Sequence, residues 1–272
     1  RAGATLVDIS IEQLPGDGEG SRITFHDNGR GIDDFQKLLT LGDSDWSTDV
    51  RETEDPAGMG FFSLCHSEVE VRSRNQQVRL SREVFLGGAG AEVVSTEDHI
   101  PGTRIVFTRG SRTDLLVGVI RQVSEFCPVE VHVNGEAVTR HDFLEGADYR
   151  EIIDGIEVGF GTSFKWRFGY RDDNWNFHGS LIRESFDSIP GLLRLNQFGH
   201  WRTEELRARF NVLEVGRVKL QLPDRRAIVQ DRKLREFEQK VRAAAYRFFQ
   251  IQERHVLPFA RWKEASSLGV VL

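Results

Sequence analysis

The chain has 272 residues, of which 39% are hydrophobic and 29% charged, with a net charge of −6 and two cysteines. That length suggests two domains at roughly 150 residues each, either large enough to bury a core, and the composition is that of a soluble globular protein. No apolar run approaches the roughly 18 residues that would cross a bilayer, no signal peptide is visible at the start, and the two cysteines have neither CxxC nor zinc spacing.

In chain order, Val7, Ile9 and Ile11 alternate with polar residues as in a half-buried strand. A Pro15-Gly16-Asp17-Gly18 turn follows, and Ile23 and Phe25 continue the alternation into Asp27, which predicts an antiparallel pair. Residues 33–41 read as a helix capped by Asp33 or Asp34. Residues 42–57 are acidic and rich in Ser and Thr and read as a loop; Phe61 to Cys65 read as a buried helix start. Strands are expected at 68–73, 77–85, 91–96 and 103–108. Leu115, Leu116, Val119, Ile120, Val123 and Phe126 then recur at helical spacing. Pro128 ends that helix and marks the expected domain boundary.

Beyond it, Val129, Val131 and Val133 lead into Asn134-Gly135, a strong hairpin signal. Further strands are expected near 156–160, 164–170, 176–183 and 218–222. Asp231 can cap a last helix whose stripe is Leu234, Phe237, Val241, Ala244, Phe248 and Ile251. The expected organisation is a first domain over 1–127, a second over 128–256, and a tail or linker over 257–272. Cys65 and Cys127 are expected as buried, reduced thiols of a cytoplasmic protein. Residues 201–272 carry 16 Lys and Arg against 9 Asp and Glu, so an acidic body precedes a basic end. Such an end either meets nucleic acid or is an ordinary set of solvated helix faces.

The chemistry-bearing residues are glycine-rich. Asp27-Asn28-Gly29-Arg30-Gly31-Ile32 ends a strand, and Gly58-Met59-Gly60-Phe61-Phe62-Ser63 follows the polar loop. Each piece alone is a turn signal. Neither is a dinucleotide fingerprint, because no strand runs into Gly58 and no third glycine follows, and no P-loop Gly-Lys-Ser/Thr is present. Their order, completed by Gly102-Thr103, is specific.

With Ala2-Gly3-Ala4-Thr5, this set resembles the GHKL ATPase family, which includes DNA gyrase, the ninety-kilodalton heat-shock chaperone, histidine kinases and MutL. The resemblance covers residues 1 to about 127. It implies an α/β two-layer sandwich (the Bergerat-type ATP-binding fold) followed by a smaller α+β transducer-like domain. It also implies ATP as ligand, with nucleotide binding driving lid closure and domain rearrangement. By that resemblance Asp27 accepts a hydrogen bond from the adenine amino group, and Gly29 and Gly31 let backbone approach the base. Gly58, Met59 and Gly60 form the lid hinge and the phosphate-facing helix start, Thr103 supports the adenine, and residues 42–57 are the lid.

Val218 to Arg226 more distantly resembles the end of the transducer domain in the MutL and gyrase branch. There a basic residue reaches the γ-phosphate. Arg225 is the candidate, Arg226 the alternative, and an ordinary solvent-facing pair the plain reading. The family's general-base Glu and its Mg²⁺-binding Asn precede the Ala-Gly-Ala-Thr stretch, so the resemblance places both upstream of Arg1. The intact protein is then expected to be an ATP hydrolase using Mg²⁺. The alternative is a noncatalytic nucleotide-binding or interaction module. ATP or ADP, a homodimer formed on ATP binding, and DNA or a client protein are the partners this family implies, with no membrane. A histidine kinase is disfavoured: a long stretch follows Thr103, and His26, His66, His132 and His178 are not recognisable phosphoacceptors.

Overall fold

The computed structural model describes residues 3–16, 20–40, 60–162, 164, 173–184, 192–195, 201–204, 206–213, 218–221, 225–252 and 255–272. The chain divides into two compact units, 1–140 and 141–272.

In the first unit, the alternating segments become β1 (Leu6–Gln13) and β2 (Ser21–Asp27), paired antiparallel with Val7 opposite Asp27 and Ile11 opposite Ile23. The regions expected as 68–73 and 77–85 form one bulged strand, β3 (Val69–Leu80), followed by the short helix α2 (Arg82–Phe85). Likewise 91–96 and 103–108 merge into β4 (Val93–Arg109). These long strands pair with each other, so backbone hydrogen bonding carries them through residues whose side chains break the alternation.

β5 (Glu130–Val133) and β6 (Glu136–Ala137) complete a six-stranded sheet in the order β3-β4-β2-β1-β5-β6. The β5–β6 hairpin turns at Asn134 and Gly135, whose φ values of 52° and 80° suit a type I′ turn. β5 runs parallel to β1 and every other pair is antiparallel. This pairing moves the boundary: residues 128–140, expected in the second domain, belong to the first unit because β5 and β6 extend its sheet.

One face of this sheet is apolar. Ile9, Ile11, Ile23, Val69, Val71, Phe107, Val131 and Val133 are buried in a single cluster. Helix α3 (Thr113–Ser124) packs Leu116, Val117 and Ile120 against the same cluster and leaves Leu115, Val119 and Val123 exposed. Only part of the expected stripe therefore faces the core. The helix expected over 33–41 is one turn, α1 (Gln36–Leu39), whose preceding Asp34 carboxylate accepts the Gln36 N–H at 2.9 Å.

The second unit holds a five-stranded sheet in the order β10-β9-β13-β8-β7. Its strands are β7 (Tyr149–Ile153), β8 (Ile156–Gly161), β9 (Trp175–Phe177), β10 (Ser180–Ile182) and β13 (Arg207–Val212). A separate hairpin pairs β11 (Leu192–Leu195) with β12 (Trp201–Glu204). The expected strand at 164–170 lies outside the described residues. Among the described residues of the segment expected as a strand at 218–222, Leu220 makes an isolated antiparallel bridge to Ile228.

Helix α4 (Arg232–Gln250) forms as its sequence predicts: Asp231 caps it by accepting the Leu234 N–H at 2.8 Å. It buries Leu234, Phe237, Val241, Ala244 and Phe248, whereas Ile251 falls at the cap and is exposed. Trp175 stacks on Phe210 at 4.1 Å and meets Phe237 in a tilted contact at 5.9 Å, which joins the sheet to the helix. Residues expected as a tail contribute α5 (Phe259–Ser267), with Ala265 and Val270 buried in the same core. Cys65 and Cys127 are half-buried free thiols. Among the described residues, no helix is long and apolar enough to cross a membrane.

Candidate functional site

The apolar face of the first sheet ends in a polar row. The register places Val71, Ile105, Phe25 and Ile9 side by side across β3, β4, β2 and β1. Two residues further along each strand, on the same face, stand Ser73, Thr103, Asp27 and Val7. Alternation alone fixes this: residues two apart on a strand point to one side. Three of the four apolar columns therefore finish in an oxygen-bearing side chain at one edge of the sheet.

Asp27 is oriented by its own loop. The Gly29 N–H donates to Oδ1 at 2.8 Å, the local turn that Asp favours. The next residue, Asn28, ties this loop to the start of β1. Its Oδ1 accepts from the Thr5 and Leu6 N–H groups at 2.8 and 3.1 Å, and its Nδ2 donates to Thr5 Oγ1 at 2.9 Å. Neither the second Asp27 oxygen nor the Thr103 hydroxyl has a hydrogen-bond partner among the described residues.

The glycines beside Asp27 differ in what they require. Gly31 has φ +78°, and a Cβ there would meet Ser73 Oγ at 2.6 Å and the Gly102 carbonyl oxygen at 3.0 Å. Gly102 has φ +65°, and its Cβ would collide with the Asp27 backbone. Only glycine fits either place. Gly60 is different. It precedes a four-residue 3-10 turn, Phe61–Leu64, at φ −57°, with nothing within 4 Å of a built Cβ. The buried helix start expected there is that single turn, and none of its residues is fully buried. Gly58, Met59 and the expected lid lie outside the described residues.

Ser73 was not singled out from the sequence, yet it is fully buried at the end of the row. Its hydroxyl accepts the Ile32 N–H at 2.8 Å and donates to the Gly102 carbonyl at 2.6 Å. The signal was available: Val69-x-Val71-x-Ser73 keeps period two, so Ser73 had to share the core face. An open groove of about 560 Å³ lies nearby, lined by Thr5, Val129, Glu130 and Arg140 among others, and meets the site at Thr5.

In the second unit, Arg225 adopts a left-handed φ of 55° and its N–H donates to the Gln221 carbonyl at 3.0 Å. The Ile228 segment is held by Glu184, whose Oε2 accepts the Ile228 N–H at 3.1 Å. Arg225 is half-buried and Arg226 exposed. Many basic side chains of the C-terminal region are engaged internally: Lys240 with Asp154, Arg247 with Glu151, Arg232 with Glu236 and Arg261 with Glu264. Among the described residues no three His, Cys, Asp or Glu side chains gather into a metal site.

No protein-family model matches the sequence, and no curated protein matches it. The structure is similar to the ATPase region of Saccharomyces cerevisiae topoisomerase II, at a TM-score of 0.50 and 12% identity over 98% of this chain and 78% of that one. It is also similar to the ATP-binding domain of Francisella tularensis topoisomerase IV (0.48, 11% identity, 98% and 86%) and to the ATPase domain of Thermus thermophilus gyrase B (0.42, 15% identity, 98% and 84%). At such identities the likeness is one of fold: mixed sheets with helices, as in GHKL ATPase domains.

Proposed function

We propose that the first unit binds an adenine nucleotide at the Asp27–Thr103 end of its sheet, as the ATP-binding region of a GHKL-type ATPase. The observation that carries this reading is the polar row closing the apolar face, with a carboxylate oxygen and a hydroxyl on directly paired residues that meet no hydrogen-bond partner among the described residues. An adenine edge offers an amino donor and a ring-nitrogen acceptor; Asp27 supplies an acceptor and Thr103 a donor, while the apolar rows beneath suit the flat ring. Gly29, Gly31 and the glycines at 58 and 60 would leave backbone near the ligand, with Met59 between the latter pair. Lid closure over 42–57 and the domain rearrangement it would drive are part of the same reading. So are the dimer formed on ATP binding and a DNA or client-protein partner.

Arg225 is the proposed γ-phosphate contact, because a guanidinium keeps its charge and matches phosphate geometry. Its left-handed backbone supports a specialised turn there. Mg²⁺ accompanies ATP in the GHKL family; among the described residues no three His, Cys, Asp or Glu side chains gather to hold it.

Titration of ATP against Asp27→Asn tests the central claim. Loss of a hydrogen bond to a charged acceptor should weaken binding by about ten- to a hundredfold. Unchanged affinity would sink the adenine role. Single-turnover measurement with ATP then separates a hydrolase from a module that binds nucleotide without turnover, and Arg225→Ala is expected to slow turnover if the γ-phosphate role is right.

A further inference from the structure

We infer that Ser73 and Arg74, on the bulge of β3, are positioning residues that set base discrimination at this end of the sheet; the inference rests on the adenine reading of Asp27. The register of β3 against β4 shifts between Ser73 and Arg74 and again between Arg74 and Gln76. The shift has a structural cost: Arg74 sits at φ 55°, a conformation that L-residues with a Cβ rarely adopt. Bulges of this kind re-aim side chains; Ser73, the last residue in register before it, and Arg74, which it re-aims, both act on the loop that follows Asp27.

Ser73 reaches two backbone segments at once. Through the Ile32 N–H it holds the Gly31 turn, and through the Gly102 carbonyl it holds the residue before Thr103. A Cβ on Gly31 would lie 2.6 Å from Ser73 Oγ, so its absence is what lets the hydroxyl reach that turn. Arg74 covers the same loop from outside. Its Nε and Nη2 donate to the Arg30 carbonyl at 3.2 and 3.1 Å, and its Nη1 pairs with the Asp33 carboxylate. Residues 30–33 are therefore clamped to β3 at three points, and the Asp27–Thr103 spacing is framed on both sides.

That spacing decides which purine fits. A 6-aminopurine presents a donor to Asp27 and an acceptor to Thr103. A 6-oxopurine presents an oxygen where the carboxylate stands, and two acceptors facing each other repel. Phosphates contribute equally to both nucleotides, so loosening the frame should cost discrimination and spare the phosphate-borne affinity.

The test is calorimetric titration of ATP and of inosine triphosphate into the wild-type chain and into Asp27→Asn, Ser73→Ala and Arg74→Gly, with thermal melting of each. The wild type is expected to prefer ATP, and Asp27→Asn to lose the preference. Ser73→Ala should lower the ATP-to-inosine preference about tenfold, the equivalent of one hydrogen bond, with inosine triphosphate affinity retained. Arg74→Gly, which relieves the positive φ but removes the clamp on Arg30 and Asp33, should also lower it. Retention of the full preference by Ser73→Ala overturns the proposal, as does an equal loss for both nucleotides, which marks a merely structural role. If Ser73→Ala does not fold, Arg74→Gly decides by the same two criteria. No ATP preference in the wild type, or its survival in Asp27→Asn, overturns the adenine reading and the frame together. Loss in Asp27→Asn alone overturns only the frame.

Discussion

Gly102 leaves no room for a side chain beside Asp27: a Cβ built on it would lie 1.9 Å from the Asp27 carbonyl oxygen and 2.8 Å from its Oδ1. Asp27 and Thr103 are register partners, so the residue before Thr103 must pass directly against the Asp27 backbone. Gly102→Ala is expected to be strongly destabilising. The positive φ alone costs about 1–2 kcal/mol for a residue with a Cβ, and relief of the collision must separate β2 from β4. Chemical denaturation should show the loss, and ATP titration of the protein that remains folded should show weakened binding.

Gly60→Ala is expected to behave oppositely. Its backbone is helical and the space around it is open. Stability should stay within about 0.5 kcal/mol of wild type, as for surface changes that touch no special feature. A larger drop in melting temperature would show that the folded chain itself needs glycine there. A drop in ATP affinity alone would place the requirement with the ligand.

The contrast between these glycines shows what was legible in the sequence. The alternation through Ile23, Phe25 and Asp27 revealed that the carboxylate ends an apolar face, because period two survives into the last residue of the strand. Asn134-Gly135 and Asp231 were equally readable, since a type I′ turn and an N-cap depend on local chemistry alone. The register of β3 against β4 was not readable. Nothing in Arg74 announces a left-handed backbone, and the bulge exists because β3 and β4 pair on both sides of it. Period two reveals the face of Ser73 but not its role, which depends on Gly31 and Gly102, brought to its hydroxyl only by the fold. The boundary at Pro128 failed because parallel pairing of β5 with β1 is a long-range fact.

Asp231→Ala is expected to cost about 1 kcal/mol of stability, the usual value for removing an N-cap acceptor. The Asp231 carboxylate accepts the Leu234 N–H, and Leu234 begins the buried stripe of α4. Asp231→Asn keeps an acceptor and should restore most of the loss. Urea denaturation of the two variants checks this, and equal losses would show that charge rather than the cap bond matters.

The pairing of α4 with α5 should make stability pH-dependent at both extremes. Tyr246, fully buried on α4, donates its hydroxyl proton to Glu264 Oε2 on α5 at 2.7 Å, and Arg261 Nη1 donates to the same oxygen at 2.7 Å. Burial pushes the Glu264 carboxyl up, but the bonds from Tyr246 and Arg261 and the charges of Arg261 and Arg242 outweigh it and leave the group below its ordinary 4.5. A carboxyl with a depressed folded value contributes stability above about pH 4.5, and that contribution is lost as the pH falls through the folded value. Tyr246 is moved the other way, first by burial and then by the Glu264 hydrogen bond and charge, which raise it well above its ordinary 10. Its neutral form is the one the fold favours, so that contribution is present below pH 10 and is lost as the pH rises further. Melting temperature should therefore be level between these limits as far as this pair is concerned. Glu264→Gln should flatten the acid limb, and Tyr246→Phe the alkaline limb. If Glu264→Gln leaves the acid limb as steep as in the wild type, the carboxylate is not the group whose protonation loosens α5.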